Sequence, residues 1–248
     1  MRIAALYDIH GNLPALEAVL RDIRHDGVDQ VVVGGDVVLG PMPRETIERL
    51  LDLDIPIQFV QGNCDRAVLA EGAGAEHDQL PARVRKAMRW TAQQLLPEHK
   101  LALAGWPKTL RVEMPGLGGV LFCHATPRSD TEIFTRRTAD DRLLPIFDDA
   151  GAPLVICGHS HMQFDRMIGS TRVVNAGSVG MPFGEPGADW LLLGPGVQLR
   201  HTAYDLDNAA RIIRGTNYPQ ANEFAARNVL QPPSEEEILA SFAKAELR

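Results

Sequence analysis

Apolar residues in the first part of the chain come in short runs, each of which ends in polar residues or glycine before a stretch with helical spacing. The run Ile3–Tyr7 ends at Asp8, and the run Val31–Val33 ends at Gly34. After the first run, the apolar positions fall on one face of a helix: Leu13, Leu16, Val19, Leu20 and Ile23. Strands that alternate with helices predict βαβ units and a mostly parallel sheet.

The pattern changes in the middle of the chain. Residues 80–106 have helical spacing, and Pro97 marks the start of a second, shorter helix. Beyond Trp106, short apolar runs are joined by turns that contain glycine and proline, with one helix expected near residues 139–149. We expect these later runs to form antiparallel strands of a second sheet that packs on the first.

The C-terminal segment, from about residue 205 to residue 248, has a helical pattern. Ser234 and Glu237 have the spacing of a capping box, in which each side chain binds the backbone amide of the other residue. The chain contains no internal repeat, low-complexity tract or flexible linker. We therefore predict a single domain over residues 1–248 that ends in this helical tail.

Composition narrows the class of protein. The formal net charge is −7 over 248 residues, and stable binding to duplex nucleic acid would require a basic face instead. Only three cysteines occur, which favours reduced thiols over a disulfide framework. The first apolar run is too short for a signal peptide or a membrane span. We therefore expect a cytoplasmic protein that does not associate with membranes; its oligomeric state is not predicted.

Side chains that bind metals follow five of the apolar runs. Each motif alone occurs by chance in many proteins, but ligands in α/β folds gather beyond the carboxyl ends of the strands. Carboxylates, imidazoles and an amide oxygen together suit manganese, iron or zinc. The residues concerned are Asp8 and His10; Asp36; Asn63, Cys64 and Asp65; His124; and His159 and His161.

The order of these motifs resembles the calcineurin-like metallophosphoesterase superfamily, and in particular its small bacterial phosphodiesterase branch. The signature of that family is Asp-x-His, Gly-Asp, Gly-Asn-His-Asp, a single His and Gly-His-x-His. The five blocks occur in this order from Asp8 to His161, and the stretch Val174–Gly180 also resembles the bacterial branch. The resemblance implies an α/β fold: a four-layer α/β/β/α sandwich of two mixed β-sheets flanked by helices.

The resemblance also implies two divalent metal ions per chain, most commonly manganese, with iron, zinc, nickel or magnesium as alternatives. A hydroxide shared by the two ions would attack phosphorus in line. One ion would be held by Asp8, His10, Asp36 and His161, and the other by Asp36, Asn63, His124 and His159. Asp36 would bridge the two ions.

The chain departs from the family signature at one position. Cys64 stands where the family usually has the histidine that lies near the leaving-group oxygen. A thiol is a weaker donor than an imidazolium, so either Cys64 substitutes weakly, or a metal-bound water serves instead, or the enzyme prefers substrates with good leaving groups; a role of Cys64 beyond packing stays open. Asp65, which would orient that histidine in relatives, either retains a role in the site or caps the next helix.

The expected substrate is a small phosphate ester, with a phosphodiester preferred. Arg66 and Arg128 lie near the motif blocks and are candidates for phosphate contacts, although surface arginines are common. Two alternatives stay open: a dinucleoside-polyphosphate or phosphoprotein phosphatase of the same superfamily, and a metal-binding interaction scaffold without catalytic activity.

Overall fold

The fold contains two five-stranded sheets that pack face to face between helices. The computed structural model describes residues 1–75 and 80–247. In the first sheet the strand order is β10-β9-β1-β2-β3, and in the second it is β4-β5-β6-β8-β7. The strands are β1 Ile3–Leu6, β2 Gln30–Val33, β3 Ile57–Phe59, β4 Thr109–Met114, β5 Gly118–Cys123, β6 Leu154–Cys157, β7 Gln163–Ile168, β8 Thr171–Ala176, β9 Ala188–Leu193 and β10 Val197–Thr202.

Helices cover both outer faces of the paired sheets. Those that precede the second sheet are α1 Leu13–Asp26, α2 Pro43–Leu51, α3 Asn63–Gly72, α4 Ala82–Gln94 and α5 Pro97–Ala104. The later ones are α6 Asp140–Phe147, α7 Leu206–Arg214, α8 Ala221–Phe224 and α9 Glu235–Phe242, with a six-residue π-helix over Ala225–Leu230 between the last two.

The alternation of side chains along β1 explains the layers. Ala4 and Leu6 contact the core cluster that includes Leu16 of α1, whereas Ile3 and Ala5 face a cluster shared by the two sheets. Successive residues of a strand point to opposite faces, so a fully apolar β1 is covered on both sides. A third apolar cluster lies between the second sheet and α6. The predicted four-layer α/β/β/α fold is confirmed.

The strand directions differ from the sequence expectation in two places. In the second sheet β5, β6 and β8 run parallel, and only β4 and β7 are antiparallel to their neighbours. In addition, β9 and β10 return to the first sheet, where β9 pairs antiparallel with β1. The expectation of antiparallel strands from the apolar runs holds only for β4 and β7 in this sheet, because short apolar runs between turns carry no information about their partner strands; the mixed sheet that the family resemblance implied is present.

Local signals in the sequence account for the ends of several helices. Asn12 accepts a hydrogen bond from the amide of Ala15 at the start of α1, and Gly27 ends that helix in the left-handed region at φ 62°. At α9, Glu237 Oε2 accepts a hydrogen bond of 3.0 Å from the Ser234 amide. The predicted capping box is therefore present.

Candidate metal centre

The predicted ligands converge at one edge of the paired sheets because each follows the carboxyl end of a strand. Asp8 lies two residues beyond β1, and Asp36 lies three residues beyond β2. His124 directly follows β5, and His159 lies two residues beyond β6. Asn63 is the first residue of α3, which begins shortly after β3. The sheets thus assemble the site from separate segments of the chain.

One group of potential ligands consists of Asp8, His10 and His161, whose ligand atoms all lie within 4.8 Å of one another. The two imidazole Nε2 atoms are 3.2 Å apart. Asp8 Oδ1 lies 3.3 Å from His161 Nε2 and 3.9 Å from His10 Nε2. All three side chains are buried or nearly so, which favours a bound cation over solvent-separated charges.

A second group consists of Asp36, His124 and His159, again within 4.8 Å. His124 Nε2 lies 3.4 Å from Asp36 Oδ2 and 2.9 Å from Asn63 Oδ1. Asp36 Oδ2 also lies 3.9 Å from His10 Nε2, which belongs to the first group. The Asp36 carboxylate therefore lies between the two groups.

Backbone carbonyls orient three of the imidazoles. His10 Nδ1 lies 3.2 Å from the carbonyl oxygen of Leu39. His124 Nδ1 lies 2.9 Å from that of Gly34, and His161 Nδ1 lies 2.9 Å from that of Met181. Because a carbonyl only accepts, each Nδ1 carries the hydrogen, and in the neutral ring Nε2 keeps its lone pair. The facing Nε2 atoms of His10 and His161 therefore need a proton or a cation between them.

The backbone at the site is held in an unusual conformation. Six non-glycine residues in the described parts of the chain have positive φ, and all but Leu247 are predicted ligands. Such conformations cost about 1–3 kcal/mol each and persist only where the surrounding structure imposes them. The ligands with positive φ are Asp8 (53°), His10 (48°), Asp36 (54°), His159 (65°) and His161 (54°).

Two glycines are required because the loops approach the carboxylates closely. A Cβ atom on Gly62 would lie 2.2 Å from Asp36 Oδ1, and one on Gly158 would lie 2.5 Å from Asp8 Oδ2. Both distances are too short for any side chain. The Gly-Asn and Gly-His motifs therefore reflect the packing of backbone against ligand as well as the ligands themselves.

The charges of the buried groups fit a cation site. Burial raises the pKa of Asp36, but His124 outweighs this effect and holds that pKa well below its ordinary value. Burial lowers the pKa of His159 to about 4, so that imidazole is neutral near pH 7. Asp8 Oδ1 is buried and has no hydrogen-bond partner among the described residues. A buried carboxylate oxygen without a hydrogen bond, with the Nε2 atoms of His161 and His10 at 3.3 and 3.9 Å, is suited to a divalent cation.

Asp65 connects two loops of the site. Its Oδ1 accepts hydrogen bonds from the amides of Val37 (2.9 Å) and Val38 (3.2 Å), and its Oδ2 accepts one from Gly62 (3.3 Å). Burial, followed by the neighbouring charge of Asp36, raises the pKa of Asp65 to about 7. Asp65 thus caps α3 and also fixes the loop that carries Asp36.

Cys64 lies beside two of the candidate ligands. Its Sγ is within 4.8 Å of ligand atoms of His10 and Asp36, and its amide donates a 2.8 Å hydrogen bond to Asp36 Oδ1. Burial, with a further contribution from Asp36, raises the pKa of the thiol well above its ordinary value. The group is therefore a neutral thiol near pH 7.

The two arginines predicted to contact substrate are paired with carboxylates. Arg66 forms a two-bond pair with Asp130 at 2.7 and 2.9 Å, and Arg128 forms one with Glu132. Arg128 lines a cavity of about 160 Å³ together with His124, so it lies beside the centre. A role of either residue in substrate binding stays a prediction.

The end of β8 and the residues that follow it support the centre, a role that the motif alone did not reveal. Asn175 Nδ2 donates to the carbonyl oxygen of Gly158 at 2.6 Å, and Ser178 Oγ donates to that of Asp8 at 2.7 Å. These bonds hold the two loops that carry Asp8 and His159. The resemblance at Val174–Gly180 was the only sequence signal for this role.

Fold and site together define a class of protein. Two face-to-face mixed sheets, with carboxylates and imidazoles buried at the carboxyl ends of the strands, form the framework of a metal-dependent phosphoesterase. The chain belongs to the calcineurin-like phosphoesterase superfamily, whose domain model matches residues 1–193. The predicted family is confirmed.

Similar proteins come from archaea and bacteria. An uncharacterized protein of Methanocaldococcus jannaschii is 33% identical over 166 residues, which are 65% of this chain and 63% of that protein. Phosphodiesterase YfcE of Escherichia coli is 35% identical over 77 residues, 27% of this chain and 42% of that enzyme. The matched region thus spans less than two thirds of either relative.

A solved structure supports the same fold. The metallophosphoesterase from Sphaerobacter thermophilus superposes with a TM-score of 0.70 at 27% identity, covering 92% of this chain and 99% of the other. In the described parts of the chain, no helix has both the length and the apolar character to cross a membrane.

Proposed function

We propose that this chain is a phosphodiesterase that uses two divalent metal ions, with manganese preferred. One observation carries the proposal: two groups of buried ligands meet at one carboxylate, Asp36, which lies within 3.9 Å of an imidazole from each group. A shared carboxylate is the arrangement that keeps two cations close together.

The ligands divide as the family resemblance implies. Asp8, His10, Asp36 and His161 would hold one ion, and Asp36, Asn63, His124 and His159 would hold the other. When bound, the ions supply activation of a water molecule near neutral pH and neutralisation of charge on the phosphoryl oxygens.

The protein's own groups favour substrates with good leaving groups. Cys64 is a neutral thiol with a raised pKa beside Asp36, and a thiol is a poor proton donor to an oxyanion. No imidazole occupies that position, so departure of the leaving group receives little help from general acid catalysis. Esters whose leaving group departs without a proton are therefore the expected substrates.

The similar proteins support the diester assignment. YfcE, which shares 35% identity over its matched segment, is a phosphodiesterase. The phosphatase alternative has less support because, in the family resemblance, those enzymes keep the histidine that Cys64 replaces. The scaffold alternative has less support because all seven predicted ligand side chains converge. A cytoplasmic location and the absence of duplex binding stay predictions.

The test compares a diester and a monoester with the same leaving group. Protein stripped with a chelator is given Mn²⁺, and hydrolysis of bis(p-nitrophenyl) phosphate and p-nitrophenyl phosphate is followed by absorbance. We expect metal-dependent turnover with a higher kcat/KM for the diester. A monoester preference would support the phosphatase, and no turnover with either ester despite bound metal would support the scaffold.

A further inference from the structure

A cavity of about 290 Å³ opens beside the metal centre, between α4 and the segment that carries α8 and the π-helix. This segment lies beyond the residues matched by the family model, which ends at residue 193. The cavity is therefore formed in part by a region whose role the family does not define.

The cavity reaches the metal centre at one ligand, His10. His10 lines the cavity, and its Nε2 lies 3.2 Å from that of His161. Leu39 and Met181 also line it, and their carbonyl groups orient these two imidazoles. A substituent on a phosphorus atom held at the centre would enter this cavity on the His10 side.

One wall of the cavity is apolar and rigid. Tyr218 and Phe224 are buried, and their rings meet edge to face with centroids 6.3 Å apart. Tyr218 also contacts Trp90 of α4 edge to face at 5.4 Å. Val84 and Ala87 of α4 complete the wall. Fixed aromatic and aliphatic surface of this kind binds a planar or apolar group.

The rim of the cavity carries two guanidinium groups. The Arg227 side chain forms no hydrogen bond or ion pair with any other described residue. Its charge helps to lower the pKa of Glu237, although the hydrogen bonds with Ser234 have the larger effect. Arg83 lies 3.4 Å from Glu223 at a largely exposed position, where ion pairs are weak. Both arginines can therefore contact an anion without breaking a strong pair.

The backbone places Arg227 and its neighbour at the cavity. Residues Ala225–Leu230 form a π-helix, a rare conformation that occurs frequently at functional sites. Arg227 and Asn228 lie in its centre and both line the cavity. Gln220 donates a 2.8 Å hydrogen bond from Nε2 to the Arg83 carbonyl oxygen and thereby ties this segment to α4.

We propose that this cavity binds one organic arm of the phosphoester substrate, and that this arm has an apolar or planar body and an anionic end group. The body lies against Tyr218 and Phe224, and the anionic end is bound by Arg227 and Arg83. The inference rests on the proposed function, since the phosphoryl group must lie at the metal centre for the arm to enter the cavity.

The test uses phenylphosphonates, which bind without being hydrolysed. Each carries a para substituent that ends in a carboxylate, attached directly or through two or four methylene groups, and each has a neutral carboxamide counterpart. Affinity for the Mn²⁺-loaded protein is measured by calorimetry. We expect about tenfold tighter binding of the carboxylate than of the carboxamide at one spacer length or more.

Substitution of the two arginines tests whether they cause the preference for the carboxylate. In Arg227→Gln and Arg83→Gln the preference for the carboxylate should fall to within twofold, while the affinity for unsubstituted phenylphosphonate stays unchanged. Arg214→Gln, an exposed arginine near the end of α7 that does not line the cavity, should keep the full preference.

The outcomes separate the two proposals. If phenylphosphonate binds in a metal-dependent manner but no carboxylate is preferred, or if the preference survives both arginine substitutions, the anionic arm is excluded and the proposed function stands. If metal-loaded protein binds none of the phosphonates, both proposals are wrong.

Discussion

The metal centre and the cavity beside it differ in how firmly their side chains are held in place. At the centre, most ligand side chains are buried, several are fixed by backbone hydrogen bonds, and five lie in a strained backbone conformation. The cavity lies between α4 and the C-terminal segment; of its two exposed arginines, Arg83 has a weak ion pair and Arg227 has none with a described residue. The side chains of the centre can therefore be replaced only at a cost to the chemistry, whereas those of the cavity can vary without disturbing it. Substitutions should therefore separate the two: those at the centre should change kcat, and those in the cavity should change KM.

The largest effect is expected from Asp36→Asn. The substitution keeps the shape of the side chain but removes the charge that both cations share, so kcat for bis(p-nitrophenyl) phosphate should fall by about 10³-fold or more. Asp65→Asn is the matched control, since Asp65 accepts backbone hydrogen bonds and only positions the loop; its loss should be about tenfold. Near-normal turnover of Asp36→Asn with both metals bound would show that the bridge is wrongly assigned.

An intermediate effect is expected at Cys64. Replacement by histidine supplies a proton donor near the leaving group and should raise kcat for esters with poor leaving groups by about 10²-fold. Turnover of p-nitrophenyl esters should change much less. The measurement is kcat across a series of aryl diesters of rising leaving-group pKa.

The wild type should show the steeper dependence on leaving-group pKa. Cys64→Ala serves as the control and should match the wild type if the thiol only packs. Equal slopes for wild type and Cys64→His would mean that this position does not govern protonation of the leaving group.

The smallest effect is expected in the cavity. Phe224→Leu removes an aromatic ring from the wall, so KM for bis(p-nitrophenyl) phosphate should rise about fivefold while kcat is unchanged, in line with about 1 kcal/mol for one aromatic contact. Phe59→Leu removes a ring that stacks on Trp106 outside the cavity and should leave KM unaltered. A fall in kcat without a change in KM would contradict the division between centre and cavity.

The sequence predicts the centre much better than the cavity, for a physical reason. Ligand chemistry requires particular side chains, so Asp8, Asp36 and His124 are visible in the sequence as residues that follow apolar runs. The resemblance to a family then assigned them to two ions. Carbonyl groups leave no such signal, and the contribution of Met181 to orienting His161 was not predictable.

The cavity and the sheet order depend on tertiary packing. The sequence pattern of Ala225–Leu230 is that of an ordinary helix, and nothing in its spacing indicates the π-helix that forms there. Nor does the pattern predict that Arg227 lines a cavity. Likewise, the antiparallel pairing of β9 (Ala188–Leu193) with β1 is set by contacts distant in sequence. His77 follows no motif and is expected to have a structural or surface role; it lies outside the described residues, so this stays a prediction.

The sharing of Asp36 by two cations is tested most directly by metal content. Wild-type protein saturated with Mn²⁺ and freed of excess metal is examined by elemental analysis, with diesterase activity measured on the same sample. We expect about two manganese ions per chain, and a lower value in Asp36→Asn. A wild-type value that settles at one ion per chain, with activity intact, would contradict the two-ion centre.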